Sequence, residues 1–456
     1  MEALQWERNP ARKLLELSWP ITLSTLSYSL MTLVDTLLVG GLGAPALAGV
    51  GLGGTAAFAL LCFSFGLLRG VKTLVSQAVG AGKKDEIVAY LGAALASAGA
   101  IAAATVVVGQ VVAEVLVHIS ASEAAGQAAK TYLHIRNLGA PGALAYVALR
   151  EVRYAQGDAR SPMRASLLAN AVNIVLAYTF VIVFKWGVTG AGTATAIAHF
   201  VEAGTLALQQ RRQGFGLRRF RWRHVTELFR VGLPTGLQFT LEVGAFTMLA
   251  GLIAALSEVE MAAHQIALQV IHFSFLPAFA VGEAASVLAG QAVGADRDEL
   301  VVASSKQALR LTTAYTALWT VAFGVIAPLI VAGFRSGPEV AARAVQLLHV
   351  AAIFQIFDGA NIVARAVLRG AGDVRYPAWV GVVTSWLFTP PLTWLLGYRL
   401  GLGALGGWLG LLAEIVVGTL ILWRRLLARD WVQAARQSRE RMASADVGAL
   451  PELEVA

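Results

Sequence analysis

The chain has 456 residues, of which 57% are hydrophobic and 14% charged. A soluble globular domain is nearer ~45–50% apolar and ~25% charged. The excess here recurs as apolar runs of ~20 residues, the length that crosses ~30 Å of hydrocarbon. A net charge of +8 would suggest nucleic acid in a soluble protein, but these basic residues lie between apolar runs and report topology instead. No nucleic-acid partner is expected.

In chain order, helices are expected at roughly 14–38, 50–72, 88–117, 130–154, 163–184, 190–210, 226–256, 262–283, 302–332, 341–368, 377–398 and 402–427. Backbone groups in lipid must bond within their own segment, and the alternating ~10-residue strands of a barrel are not seen. The first run is long enough to span and reads as a retained helix rather than a signal peptide. Pro20, Pro234 and Pro277 fall inside helices and should bend them. The single cysteine, Cys62, sits in an apolar run and reads as a small core residue. The fold class is an all-α membrane protein of about twelve spans.

With the N-terminus placed inside, Lys130, Arg136, Lys185, Arg335, Arg343 and Arg399 are the six basic residues on the outer side, leaving thirty of the 36 Lys and Arg inside. Among the inner set, Arg365, Arg369 and Arg375 flank the connection after helix 10. This asymmetry supports twelve spans with both termini in the cytoplasm, in a bacterial or archaeal inner membrane.

The chain also repeats itself. Gln77 and Gln291 are each followed by AVGA, which sets an offset between two copies. Pro20 meets Pro234 and Leu42 meets Leu256 at that same offset. Gly157, Asp158 and Pro162 meet Gly372, Asp373 and Pro377 with the offset longer by a single position. Such a register signals duplication. Six helices per copy is an even number, so the copies are parallel repeats about a pseudo-twofold axis along the membrane normal. The expected organisation is an N-terminal lobe over 1–213, a basic cytoplasmic linker over 214–225, a C-terminal lobe over 226–428 and a mobile cytoplasmic tail over 429–456.

Three carboxylates stand deep in apolar runs: Asp35 in helix 1, Glu242 in helix 7 and Asp358 in helix 10. None has a Lys or Arg three or four residues away on its own helix. A carboxylate buried alone is costly. It stays ionised beside a cation and otherwise takes up a proton, which is the physical basis of cation-coupled exchange. Asn170, Asn173 and Thr195 offer amide and hydroxyl oxygens near Asp35, suited to Na⁺, to a proton relay or to hydrogen bonds between helices. Arg69 and Glu283 are equivalent positions in the two copies and could latch as a gate, or each could snorkel to the interface alone. His199, His264 and His272 have spacings that make no metal set and read as core or cavity-lining residues. No cofactor is expected beyond a bound Na⁺ at Asp35 or at Glu242 and Asp358.

These residues together resemble the multidrug and toxic compound extrusion (MATE) family, with NorM-like and DinF-like features. The resemblance covers the chain to about residue 427 and is carried by Trp19-Pro20, VDTLLVGGLG at 34–43, SQAVGAG at 76–82, GDARSP at 157–162, GAGTATAIA at 190–198 and GQAVGA at 290–295. It implies two parallel six-helix lobes and export of cationic or amphiphilic compounds in exchange for Na⁺ or H⁺. The family's first-lobe cation site is matched by Asp35, Asn173 and Thr195, while the second aspartate of that site falls at Ala177. Its second-lobe carboxylates are matched by Glu242 and Asp358.

The expected function is a secondary active exporter, with the lobe over 14–210 rocking against the lobe over 226–427 and the chain acting as a monomer. The alternative, a flippase for lipid-linked oligosaccharides, should need a basic cavity, and the intramembrane charges here are mostly acidic. An enzyme would need a nucleophile–base set or metal ligands at helical spacing, and none is found.

Overall fold

The computed structural model describes residue 4, residues 6–120 and residues 122–447. Every regular element among them is helical: α1 (Pro10–Gly40), α2 (Ala44–Gly80), α3 (Lys84–Ile119), α4 (Glu123–Asn137), α5 (Ala140–Ala155), α6 (Arg160–Tyr178), α7 (Val188–Gln210), α8 (Trp222–Ala254), α9 (Glu258–Gly294), α10 (Asp298–Val325), α11 (Ala327–Ala332), α12 (Pro338–Gly370), α13 (Arg375–Leu392), α14 (Ala404–Leu427) and α15 (Val432–Val447). Short π-helical segments, Thr179–Val183 and Thr393–Arg399, extend α6 and α13. The protein is an all-α membrane protein of two six-helix sets, as the sequence implied. Nine helices among the described residues are long and apolar enough to cross a membrane.

The remaining expected spans are interrupted or more polar. The span expected at 130–154 divides into α4 and α5 around Leu138 and Gly139, because Pro141 supplies no N–H to a continuing helix. The span expected at 302–332 divides before Pro328 for the same reason. The helix α7 carries His199 and Glu202. The last residues of the expected linker, 222–225, already form the first turn of α8.

Element boundaries repeat as the residues do. Ala44 and Glu258 begin α2 and α9, Lys84 and Asp298 begin α3 and α10, and Thr179 and Thr393 begin the π segments, each pair at the offset that separates Gln77 from Gln291. The compact units do not follow the two copies. Among the described residues, one unit holds those up to Ser18, Ser76–Lys83 and those from Leu241 onward, and the other holds Trp19–Val75 and Lys84–Thr240.

In the second of these units, glycine lets α2 and α8 touch through their backbones. A Cβ on Gly232 would lie 2.1 Å from the Leu67 carbonyl oxygen, and one on Gly66 would lie 2.6 Å from Gly236 Cα. In the first unit the two AVGA copies clasp reciprocally. A Cβ on Gly80 would meet Gln291 O at 2.0 Å, and one on Gly294 would meet Gln77 O at 1.9 Å. Gln77 Nε2 also donates to Gly370 O at 3.1 Å, and Trp6 Nε1 donates to Gln291 Oε1 at 2.8 Å. Small residues are what allow backbones this close in lipid, where packing replaces the hydrophobic drive.

The polar stretch after 428 departs from the loose tail expected of it. Trp431 and Ala435 are fully buried, Lys83 Nζ donates to Met442 O at 2.6 Å, and Arg439 pairs with Asp298 at 2.8 Å and Asp296 at 3.1 Å. The helix α15 docks through charges and one large ring, which a search for an apolar stripe overlooks. Residues 448–456 of the expected tail lie outside the described residues.

Gly294→Val should lower the thermal unfolding midpoint in detergent through overpacking of ~1–3 kcal/mol. Gly99→Ala, where nothing lies within 4 Å of an added Cβ, should leave the midpoint unchanged or raise it. Equal midpoints for Gly294→Val and the unaltered chain would contradict the clasp.

Candidate functional site

Two clusters of buried polar side chains stand out, one in each unit. In the unit holding most of the first copy, α1 supplies Asp35, α6 supplies Asn173 and α7 supplies Thr195. Their relative exposures are 6%, 0% and 1%, so the three side chains are out of reach of bulk solvent. Thr195 Oγ1 lies 3.1 Å from Asp35 Oδ2 and 3.1 Å from its own helix at Ala191 O, and it accepts from Asn173 Nδ2 at 3.5 Å. Asp35 Oδ1 and Asn173 Oδ1 are buried without a hydrogen-bond partner. Two unpartnered oxygens in one cluster suit a hard cation or a delivered proton.

The structure therefore brings together the three residues that the sequence suggested. Asn170 turns elsewhere and donates to Ser27. Ala177 is fully buried and supplies no second carboxylate. Arg136, counted as an outer flanking residue, reaches Gly54 O at 3.3 Å and Tyr28 Oη at 3.5 Å and lies within electrostatic range of Asp35.

In the other unit, α8, α9, α12 and α14 line a cavity of about 350 Å³. Phe246, Phe354 and Trp408 form apolar walls, and Asp358, Glu414 and His272 bring the polar groups. Asp358 and Glu414 are each 8% exposed. Glu414 accepts a hydrogen bond from Thr389 Oγ1. His264 is fully buried beside the cavity, where its Nδ1 accepts from Trp408 Nε1 at 3.1 Å. Its Nε2 is buried without a hydrogen-bond partner.

One expectation is corrected here. Glu242 is not a lone carboxylate, because Arg365 Nη1 of α12 donates to Glu242 Oε1 at 2.7 Å. The local rule asked only for partners on the same helix, whereas this partner comes from a neighbouring one. Arg365, read as a flank of the next connection, lies inside the last turns of α12 and is turned inward.

Glu414 was missed by the sequence reading. The signal was present: it is a single acid in GLLAEIVVG with no basic residue three or four positions away, the same criterion that found the other three. The proposed gate residues fall in different units. Arg69 stands 5.5 Å over the Phe239 ring, and Glu283 is buried within α9. Among the described residues no set of three His, Cys, Asp or Glu could hold a metal ion.

The MatE family model matches residues 20–179 and 234–395. The two matched segments begin at Pro20 and Pro234, the pair of prolines already equated by the repeat. "Probable multidrug resistance protein NorM" of Pseudomonas syringae pv. tomato is 31% identical over 452 residues, covering 92% of this chain and 97% of that protein. The protein of the same name in Bradyrhizobium diazoefficiens is 31% identical over 439 residues, covering 92% of this chain and 94% of its own. Among solved structures, the eukaryotic MATE transporter AtDTX14 aligns with a TM-score of 0.85 at 20% identity, over 95% of this chain and 99% of that one. An outward-facing multidrug resistance MATE family transporter of the MOP superfamily aligns with a TM-score of 0.87, also at 20% identity, over 96% and 99%. With a family model matching well over half of it, and relatives that share 31% of their residues with it along nearly its whole length, the chain belongs to the MatE family.

Proposed function

We propose that the protein is a secondary active exporter of amphiphilic or cationic small molecules, including multidrug-type compounds, driven by exchange for Na⁺ or H⁺. The observation that carries this reading is the aromatic-walled cavity holding Asp358 and Glu414. Aromatic faces accommodate a lipophilic body, and carboxylates in a low-dielectric cavity demand a positive partner. A transported cation and a coupling cation satisfy that demand in turn, so arrival of one releases the other. The acidic lining supports cationic cargo over the anionic headgroup of a lipid-linked oligosaccharide. The names of the relatives support multidrug export.

The cluster of Asp35, Asn173 and Thr195 is a second coupling site in this reading. Its unpartnered oxygens support Na⁺ or proton binding without a further cofactor. The lobes over 14–210 and 226–427 rock against each other to expose the sites to alternate sides. The chain works as a monomer in a prokaryotic inner membrane with both termini in the cytoplasm, an orientation supported by the distribution of Lys and Arg. Its work is transport, with no enzymatic step. Arg69 and Glu283 pair in one state of the cycle as a gate.

Efflux of a fluorescent cation such as ethidium, from vesicles with Na⁺ and pH gradients imposed separately, tests the reading. Uphill movement should follow at least one gradient, and passive leakage under both would overturn it. Asp358→Asn and Glu414→Gln should each reduce driven efflux by about tenfold or more, as expected when one buried charge is removed. Wild-type rates in both variants would reject the cavity as the exchange site. Reversing Arg69 or Glu283 alone should impair transport and reversing both should restore it; an impaired double reversal rejects the gate.

A further inference from the structure

The cavity in the first unit is approached by a fixed positive charge that simple exchange at carboxylates does not require. Arg365 and Glu242 form an ion pair at 2.7 Å whose side chains are 14% and 23% exposed. The guanidinium is not saturated, since its Nε is buried without a hydrogen-bond partner. Asp358 lies seven residues earlier on the same helix, about two turns away on the same face. Helical side chains lean toward the helix N-terminus, so the Arg365 side chain leans along α12 in the direction of the Asp358 turn, while its guanidinium is held on Glu242 and does not line the cavity. Asp358 and Glu414 both lie within electrostatic range of it.

An arginine cannot shed its proton. Unlike the carboxylates, it has no neutral form in which to wait, and it must rest on an anion in every state. Glu242 gives it such a place.

We propose that Arg365 is a tethered counter-ion that balances the charge of Glu242, so that Asp358 and Glu414 form the pair that receives the exchanged cation. Glu242 then acts as a positioning residue that parks the guanidinium outside the cavity. Without Glu242, Arg365 turns to Asp358 and Glu414. Its tether gives it an effective concentration in the mM range or above, and it competes with a free cation throughout the cycle. The inference rests on the cavity being the cation site proposed above.

The test uses the full chain in proteoliposomes for ethidium efflux, and in detergent for calorimetric binding of tetraphenylphosphonium. Glu242→Gln should lower both efflux and affinity by about tenfold or more, in line with stranding one member of a buried charge pair. Combining Glu242→Gln with Arg365→Gln should restore both to within about threefold of the starting protein, because the competing charge is gone. The apolar pair Glu242→Met with Arg365→Met should do the same, and replacing a buried ion pair in this way leaves folding intact or improves it. Either double variant that keeps its thermal midpoint but remains as impaired as Glu242→Gln overturns the proposal and makes Glu242 itself an exchange group. Asp358→Asn and Glu414→Gln, measured alongside, separate this outcome from failure of the cavity reading. If both are impaired, the cavity stands and only the role of Arg365 falls. If both are fully active, the cavity reading falls first.

Discussion

A carboxylate held away from water must have a positive partner or a proton, and this requirement organises both sites. Coulomb attraction and desolvation cost both grow as the dielectric falls, so each buried acid is tied to whichever cation is present. Asp35 meets it with Thr195 as a hydrogen-bond donor, Asn173 beside that hydroxyl and Arg136 in range. Asp358 and Glu414 meet it in an apolar cavity, with Thr389 as donor to Glu414. Glu242 meets it through Arg365 of a neighbouring helix. A site whose partner is fixed cannot exchange, whereas one whose partner is diffusible can. The distinction among these acids is therefore which cation answers each, more than how deep each lies.

The scaffold makes that chemistry possible by close packing of small residues. Reciprocal contacts of Gly80 with Gln291 and of Gly294 with Gln77 join the two motif copies without any large side chain. The α2–α8 contact uses Gly66, Gly70, Gly232 and Gly236 in the same manner. Contacts of this kind are stabilised by dispersion and by the absence of side-chain entropy to lose. The apolar side chains displaced from them face outward: Leu37, Val107 and Leu387 are exposed in the protein and suited to lipid.

Much of the fold was legible because lipid enforces it. Long apolar runs have one secondary structure available, and the duplication fixed the order of helices through Gln77, Gln291 and their neighbours. The breaks at Gly139 and Pro328 were less legible, since proline within an apolar run bends some helices and ends others. The association of Asp35 with Asn173 and Thr195 was readable from the family resemblance. The ion pair of Glu242 was not, because partners on different helices leave no spacing in sequence. Glu414 was readable and overlooked. The docking of α15 depends on Arg439 meeting Asp296 and Asp298, which stand several helices earlier in the chain, and no local pattern announces such a contact.

Competition between ions at one set of carboxylates is the central claim, and an equilibrium measurement reaches it most directly. Calorimetric titration of the full-length protein with tetraphenylphosphonium, repeated over a series of Na⁺ concentrations and a series of pH values, reports whether the ions displace one another. The account predicts that apparent affinity falls as Na⁺ rises or as pH drops, with release of the displaced ion accompanying binding. An affinity independent of both would contradict it.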